Sequence, residues 1–310
     1  MPSRRRLLAA VAGSLAAVAG CTTRTQPSTG ESTTASPPST STATPPSVSH
    51  SPTEPGGGSP TDSSTPVEHV AVDDIVVRKA AHYESAMGSG GVLAGRDEQY
   101  VVASVRGANE LDSATFTFEA DGRSWSPGLP RTRGATNVAV AGHEGPPVGR
   151  WDLGGDGPSV LAFTVPSPLS AENPRIRFDG GPSREAREWP VPAEERNRLA
   201  APAARFELDS LSVPSSVSQG DPLSVSLSVT NVSETAGRFL AALYWPTDTI
   251  ADDDESHILE RVVDAGETVS VSRDVDTGYT TYEPRTVTLE VRGHVRADRE
   301  VAVKNVSTPS

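Results

Sequence analysis

From Val67 onward, apolar residues recur with a period of two, the spacing that puts alternate side chains on one face of a β-strand. Val70, Val72, Ile75 and Val77 open the first such run, and residues 99–105 form the second. Residues 114–119 alternate and meet Asp121-Gly122, a dipeptide that favours a two-residue hairpin because both positions accept positive φ. Residues 137–140, 159–165 and 175–178 are further strand candidates, separated by Gly and Pro at short intervals. Only residues 193–201 have helix-compatible composition; the stretch is short and polar and reads as a junction. Beyond it the alternation is cleaner. Leu223, Val225, Leu227 and Val229 point one way while Ser224, Ser226, Ser228 and Thr230 point the other, which predicts one buried and one wet face. Residues 239–245, 257–263 and 268–273 follow, then Val287, Leu289 and Val291, with Val301 and Val303 placed at a closing edge. About seven strands in roughly 100 residues predict an immunoglobulin-like sandwich. The predicted fold is all-β, with two β-sandwich domains at 67–192 and 205–304, a linker at 193–204 and a tail at 305–310.

The chain before Val67 has none of this pattern. Arg4, Arg5 and Arg6 precede an apolar stretch at residues 7–20, too short for a spanning helix, which needs about 20 residues. The order predicts a secretory signal over residues 1–20. Ser3-Arg4-Arg5-Arg6-Leu7-Leu8 fits the twin-arginine export pattern, with Arg4 and Arg5 as the signal pair. Val18-Ala19-Gly20-Cys21 resembles a lipobox, which makes Cys21 the expected lipidation site and mature N-terminus. Residues 22–66 hold 12 Thr, 11 Ser and 9 Pro, and Val48 is the single aliphatic residue larger than Ala. Such a composition cannot bury enough apolar surface to offset ordering entropy, so residues 21–66 read as a lipid-anchored, disordered stalk.

Composition narrows the partners. The 310-residue chain carries 40 Asp+Glu against 27 Lys+Arg, a net charge of −13. Removal of the signal takes three arginines with it and leaves −16. That balance excludes nucleic acid as the expected partner, because phosphate binding needs a basic face. Only Lys79 and Lys304 are lysines, and an acidic surface poor in lysine suits high salt. Cys21 is the sole cysteine, which excludes a disulfide framework.

Several segments resemble known families. Leu211-Ser-Val-Pro214, the run from Val217 through Gly220-Asp221 to Thr230-Asn231, and Val263-Asp-Ala-Gly266-Glu-Thr are similar to adhesion-related immunoglobulin-like modules of prokaryotic surface proteins. Asp97-Glu98-Gln99-Tyr100, the hairpin at Asp121-Gly122, and Val160-Leu-Ala-Phe163-Thr-Val165 resemble immunoglobulin-like lipoprotein domains of unknown function. The whole arrangement resembles a halophilic archaeal surface lipoprotein. The resemblance implies a fold and a location on the outer face of the cell membrane, and carries over no functional residue.

Candidate chemistry is sparse. Asp252, Asp253, Asp254 and Glu255 could offer oxygens to calcium, but consecutive positions in an extended loop point apart, and a solvated acidic loop is the preferred reading. Asp152 and Asp156 sit in a Gly-rich segment that reads as a turn. His50, His69, His82, His143, His257 and His294 show no spacing that places two on one face, so no metal site is expected. No hydrolase elbow, zinc-protease or Ser-x-x-Lys motif appears, and no cofactor or catalytic residue is expected. Trp125, Trp151, Trp189 and Trp245 are expected mainly in cores, with sugar stacking as the alternative. Asn231-Val-Ser and Asn305-Val-Ser are sequons, so Asn231 and Asn305 are the candidate N-glycosylation sites. The expected function is a non-catalytic, membrane-anchored surface protein that binds a surface protein or glycan, adheres, or builds the envelope. The alternative is an accessory or solute-binding lipoprotein serving a transporter or secreted enzyme.

Overall fold

The computed structural model of the protein describes residues 69–306 except 87–88, 108–110, 135, 151–156, 181–183 and 251–254. The signal, Cys21 and the stalk lie outside the described residues, as do Trp151 and Asp252, Asp253 and Asp254.

The chain is all-β, as its alternation predicts. The first region contains β1 (Ala71–Arg78), β2 (Ala81–Ser85), β3 (Gly91–Leu93), β4 (Glu98–Arg106), β5 (Phe116–Ala120) and β6 (Arg123–Trp125). It continues with β7 (Asn137–Val140), β8 (His143–Glu144), β9 (Ser159–Pro166), β10 (Arg175–Phe178) and β11 (Arg187–Pro190). The β5–β6 hairpin turns at Asp121 and Gly122 with φ of 48° and 76°, the paired positive values that their sequence favours. Sheets β1-β4-β9 and β11-β10-β5-β6 enclose a core built on Phe116, Phe118, Phe163, Leu161, Ile176 and Phe178, all buried. A third sheet, β3-β2-β7-β8, was not expected. Its strands are short and mix polar with apolar residues, so none shows a clear period by itself. It covers the opposite face of β1-β4-β9, where Tyr100 and Val102 join Tyr83, Leu93, Val140 and Val160 in a second cluster. Strand β4 is therefore buried on both faces at Tyr100, Val101, Val102 and Ala103.

The predicted junction folds as α1 (Ala193–Ala200). It is part of the first region rather than a free linker, because Leu199 is fully buried in that core and the Glu195 carboxylate accepts the Val77 backbone N–H at 2.6 Å.

The second region contains β12 (Phe206–Ser212), β13 (Ser216–Ser218), β14 (Leu223–Asn231), β15 (Gly237–Trp245), β16 (Glu255–Val263), β17 (Thr268–Val275), β18 (Arg285–Gly293) and β19 (Ala297–Lys304). Sheets β12-β14-β17 and β13-β19-β18-β15-β16 pack as an immunoglobulin-like sandwich. Leu223, Val225, Leu227 and Val229 all fill the core. The β19 strand is not an edge: β13, too short to read from sequence, pairs with it in parallel and takes the edge. Trp245 is fully buried and its indole N–H donates to Thr280 Oγ1 at 2.6 Å. Trp125 and Trp189 pack half-buried against the first core.

The two regions are joined through the third sheet. Strand β3 abuts β15, β16 and β18. Gly91 is required there, since a Cβ on it would overlap the Tyr244 and Tyr83 hydroxyls. Arg133 stacks its guanidinium 3.9 Å from the centre of the Tyr244 ring and pairs with Glu290.

Candidate functional site

Strand alternation makes Ile75 and Val77 buried and leaves Arg78 facing outward at the end of β1. The turn into β2 then presents Lys79. Two other cations approach from distant segments: Arg198 from the last turn of α1 and Arg238 from the start of β15. His82 and His294 complete the polar lining of a cleft of about 620 Å³ between the two regions. Its remaining walls are mostly small, including Ala80, Ala141, Gly142, Ala236 and Gly237. No Asp, Glu, Ser, Cys or Tyr lines it among the described residues.

The four cations differ in their partners. Arg238 grips Glu260 through both Nε and Nη2. Arg198 reaches Glu194 at 2.5 Å and Glu195 at 3.0 Å. Lys79 meets no carboxylate among the described residues; its ammonium donates to Gln99 Oε1 at 2.6 Å and Ala201 O at 2.6 Å, with Ser167 Oγ and Leu199 O further off. The last carbonyls of a helix are the favourable place for a cation, so Lys79 ties α1 to the sheet. Burial lowers its pKa to about 8. Arg78 is the least compensated: it donates to the Val77 carbonyl at 3.3 Å, and among the described residues no carboxylate stands within ion-pair distance. Burial lowers its pKa, Glu195 opposes this, and Arg198 and Arg238 add to it. The cleft is thus a concentration of positive charge on a chain of net charge −13.

His294 lines the same cleft but faces inward, edge-on to Phe206 and stacked on Phe239. Its Nδ1 accepts the Leu240 N–H at 2.9 Å, and burial lowers its pKa to about 4. A second, smaller cleft of about 240 Å³ adjoins the first and shares Lys79, Ala204 and His294; Arg96 and Arg205 line it with Glu207.

The residues singled out by sequence fall elsewhere. Arg4, Arg5 and Cys21 lie outside the described residues, and so does all of the acidic loop but Glu255, which starts β16. The Asn231 expectation needs correction. Asn231 is fully buried, its Nδ2 donating to Thr235 O at 2.9 Å and Val263 O at 3.0 Å, while its Oδ1 accepts from the Ser233 N–H. Its backbone also bonds the turn at Gly266 and Glu267. A glycan cannot reach a nitrogen so enclosed in the folded chain; the residue clamps two loops together. Asn305 is exposed, in the left-handed region that Asn tolerates, with Nδ2 bonded to Ser218 Oγ at 3.1 Å, so it stays accessible. Among the described residues no three His, Cys, Asp or Glu side chains gather as metal ligands. His143 bonds Ser104 Oγ through Nδ1 at 3.0 Å and is buried between sheets, far in sequence from the cleft-lining His294.

Sequence reasoning missed the cleft. Its one local signal is the Arg78-Lys79 pair, which contains one of the two lysines of the chain.

No protein-family model matches the chain, and no curated protein matches it. Among solved structures, a β-glucosidase from Listeria innocua in complex with laminaribiose is 21% identical over 33% of this chain, with a TM-score of 0.29. The alkylpurine DNA glycosylase AlkC of Pseudomonas fluorescens is 13% identical over 35% of the chain and 34% of its own, with a TM-score of 0.28. A β-glucuronidase from Bacteroides uniformis is 13% identical over 67% of this chain and 26% of its own, with a TM-score of 0.20. The chain spans 16% of the length of the β-glucosidase it matches.

Proposed function

We propose that this protein is an exported, lipid-anchored surface protein whose folded part binds a small ligand and performs no chemistry on it. The observation that carries the binding half is the 620 Å³ cleft, lined by four cations and small residues. Clefts between packed layers are where ligand sites usually form. The anchoring half rests on the sequence from Ser3 to Cys21 and the Ser/Thr/Pro stalk, which would hold the cleft away from the bilayer. One lipidated cysteine supplies the attachment.

The size of the cleft favours a small solute over a broad adhesive surface. It therefore also supports the second reading, an accessory lipoprotein that delivers a solute to a transporter or secreted enzyme. Fractionation of cells expressing wild type and Cys21→Ser tests the anchoring. Wild type is expected in the membrane fraction and the variant in the medium; the same soluble distribution for both would overturn it.

A further inference from the structure

We infer that the cleft binds a small ligand through an oxyanion (a carboxylate, sulfate or phosphate group) and that Arg78 is its principal contact. This rests on the reading of the cleft as the ligand site.

The argument starts from unequal compensation. Arg238 and Arg198 already have carboxylates at bonding distance. The Lys79 ammonium is spent on four neutral oxygens of Gln99, Ser167, Leu199 and Ala201. Among the described residues the Arg78 guanidinium bonds only its neighbour's carbonyl. A guanidinium presents five N–H donors in a fixed planar fork, and a planar or tetrahedral oxyanion matches it through two parallel bonds. Lys79, bonded to neutral oxygens, adds positive potential beside it, while the charges of Arg198 and Arg238 are offset by their carboxylates. Partial burial of the site strengthens such a bond relative to open water.

Shape agrees with charge. Ala80, Ala141 and Gly142 on one side and Ala236 and Gly237 on the other bring nothing larger than a methyl group into the space. The volume of about 620 Å³ suits a ligand the size of a sugar or small organic acid. The carboxylates near the cleft are already engaged: Glu260 by Arg238, Glu194 by Arg198, Glu84 by His82, and Glu195, buried to 8% exposure, by the Val77 N–H and Arg198. A ligand that lacked an anionic group would leave the Arg78 guanidinium half-desolvated and unpaired, which costs free energy.

The oxyanion can come from a free inorganic anion or from an acidic sugar, and the test separates them. The full chain, purified in detergent, is titrated calorimetrically at constant ionic strength with inorganic phosphate, sulfate, glucuronate and, as neutral control, glucose. Saturable binding of at least one anion, with glucose at least tenfold weaker, is the expected result. Glucuronate tighter than the inorganic ions identifies an acidic sugar; phosphate or sulfate as tight or tighter identifies the free anion. Arg78→Gln is expected to weaken binding about tenfold or more and Arg78→Lys to restore part of it. Arg261→Gln, an exposed arginine bonded to the Glu260 carbonyl, is expected to change nothing. Thermal midpoints equal to wild type show that these variants fold. Anion binding that survives Arg78→Gln unchanged, or no anion binding at all, overturns the inference. Glucose as tight as glucuronate, with both lost on Ala236→Trp, also overturns it while leaving the cleft as the ligand site.

Discussion

In the second region, the β12-β14-β17 sheet shows one face to a core and the other to water; in the first, the β1-β4-β9 sheet is covered on both faces. The wet face of the second region is organised by cross-strand bonds between small hydroxyls, Ser272 to Ser226 at 3.0 Å and Thr230 to Thr268 at 2.6 Å. The corresponding face of the first region carries Tyr100 and Val102 and receives a third sheet. That extra layer gives the first region a second surface to bury, and strand β3 uses it to dock on the second region. The lesson is that a doubly covered sheet can serve as the coupling element between two cores.

The most severe way to break the comparison is to hollow each core separately. Phe163→Ala in the first region and Trp245→Ala in the second should each cost about 3–5 kcal/mol, the usual cost of deleting a buried large ring. If the third sheet couples the regions, calorimetry will show each variant unfolding in a single transition at a lower temperature. Two resolved transitions would show that the cores melt independently. Gly91→Leu attacks the coupling itself, since its side chain would collide with Tyr83 and Tyr244. A loss of about 3 kcal/mol is expected, near the upper end for overpacking. Double-mutant analysis against Tyr244→Phe should show non-additivity, and additivity would remove the contact from the account.

Asn231→Ala confines the damage to the second region. It strips the donor from Thr235 O and Val263 O, and an expected loss of about 2 kcal/mol follows from leaving buried acceptors unpaired. Denaturant midpoints measure it; an effect below about 0.5 kcal/mol would mean that water replaces the amide. The same residue gives a glycan test: mass spectrometry of the protein from a glycosylating host should find Asn231 unmodified. Acid sharpens the comparison least but most specifically. The pKa of His294 is near 4 when folded and near the ordinary 6.5 when unfolded. The unfolded chain therefore binds the proton first as pH falls, so stability is complete above pH 6.5 and is lost between there and pH 4. From pH 7 to pH 5.5 the loss should be about 1 kcal/mol. His143, lowered by burial in the first region, acts in the same direction. His294→Gln should flatten the part of the profile that belongs to the second region.

How much of this was legible depends on what each strand faces. Leu223 to Val229 reads correctly because serine and threonine fill the intervening positions, so one period fits one buried face. The Asp121-Gly122 turn reads correctly because both residues tolerate the positive φ it needs. The turn at Ala141 and Gly142 has the same pair of positive φ values, 55° and 88°, yet Ala-Gly carries no such preference. Strands β2, β3 and β8 escaped because they are short: β2 with β3 and β7 with β8 pair locally, and the β2–β7 pairing that unites them in one sheet joins segments remote in sequence. Asn231 carries a sequon, but a three-residue pattern contains no information about burial.

The sequence by itself determined the all-β class, most strand positions in the second region, the acidic balance and the N-terminal pattern ending at Cys21. These depend on local period, local turn preference and composition. The tertiary structure decided the third sheet, the union of the two regions, the role of Asn231 and the cationic cleft. Arg78, Arg198 and Arg238 each look like ordinary solvent-facing charges within their own segments. Only strand pairing and the docking of α1 on β1 bring them around one space, and convergence of that kind is set by long-range packing rather than by any pattern along the chain.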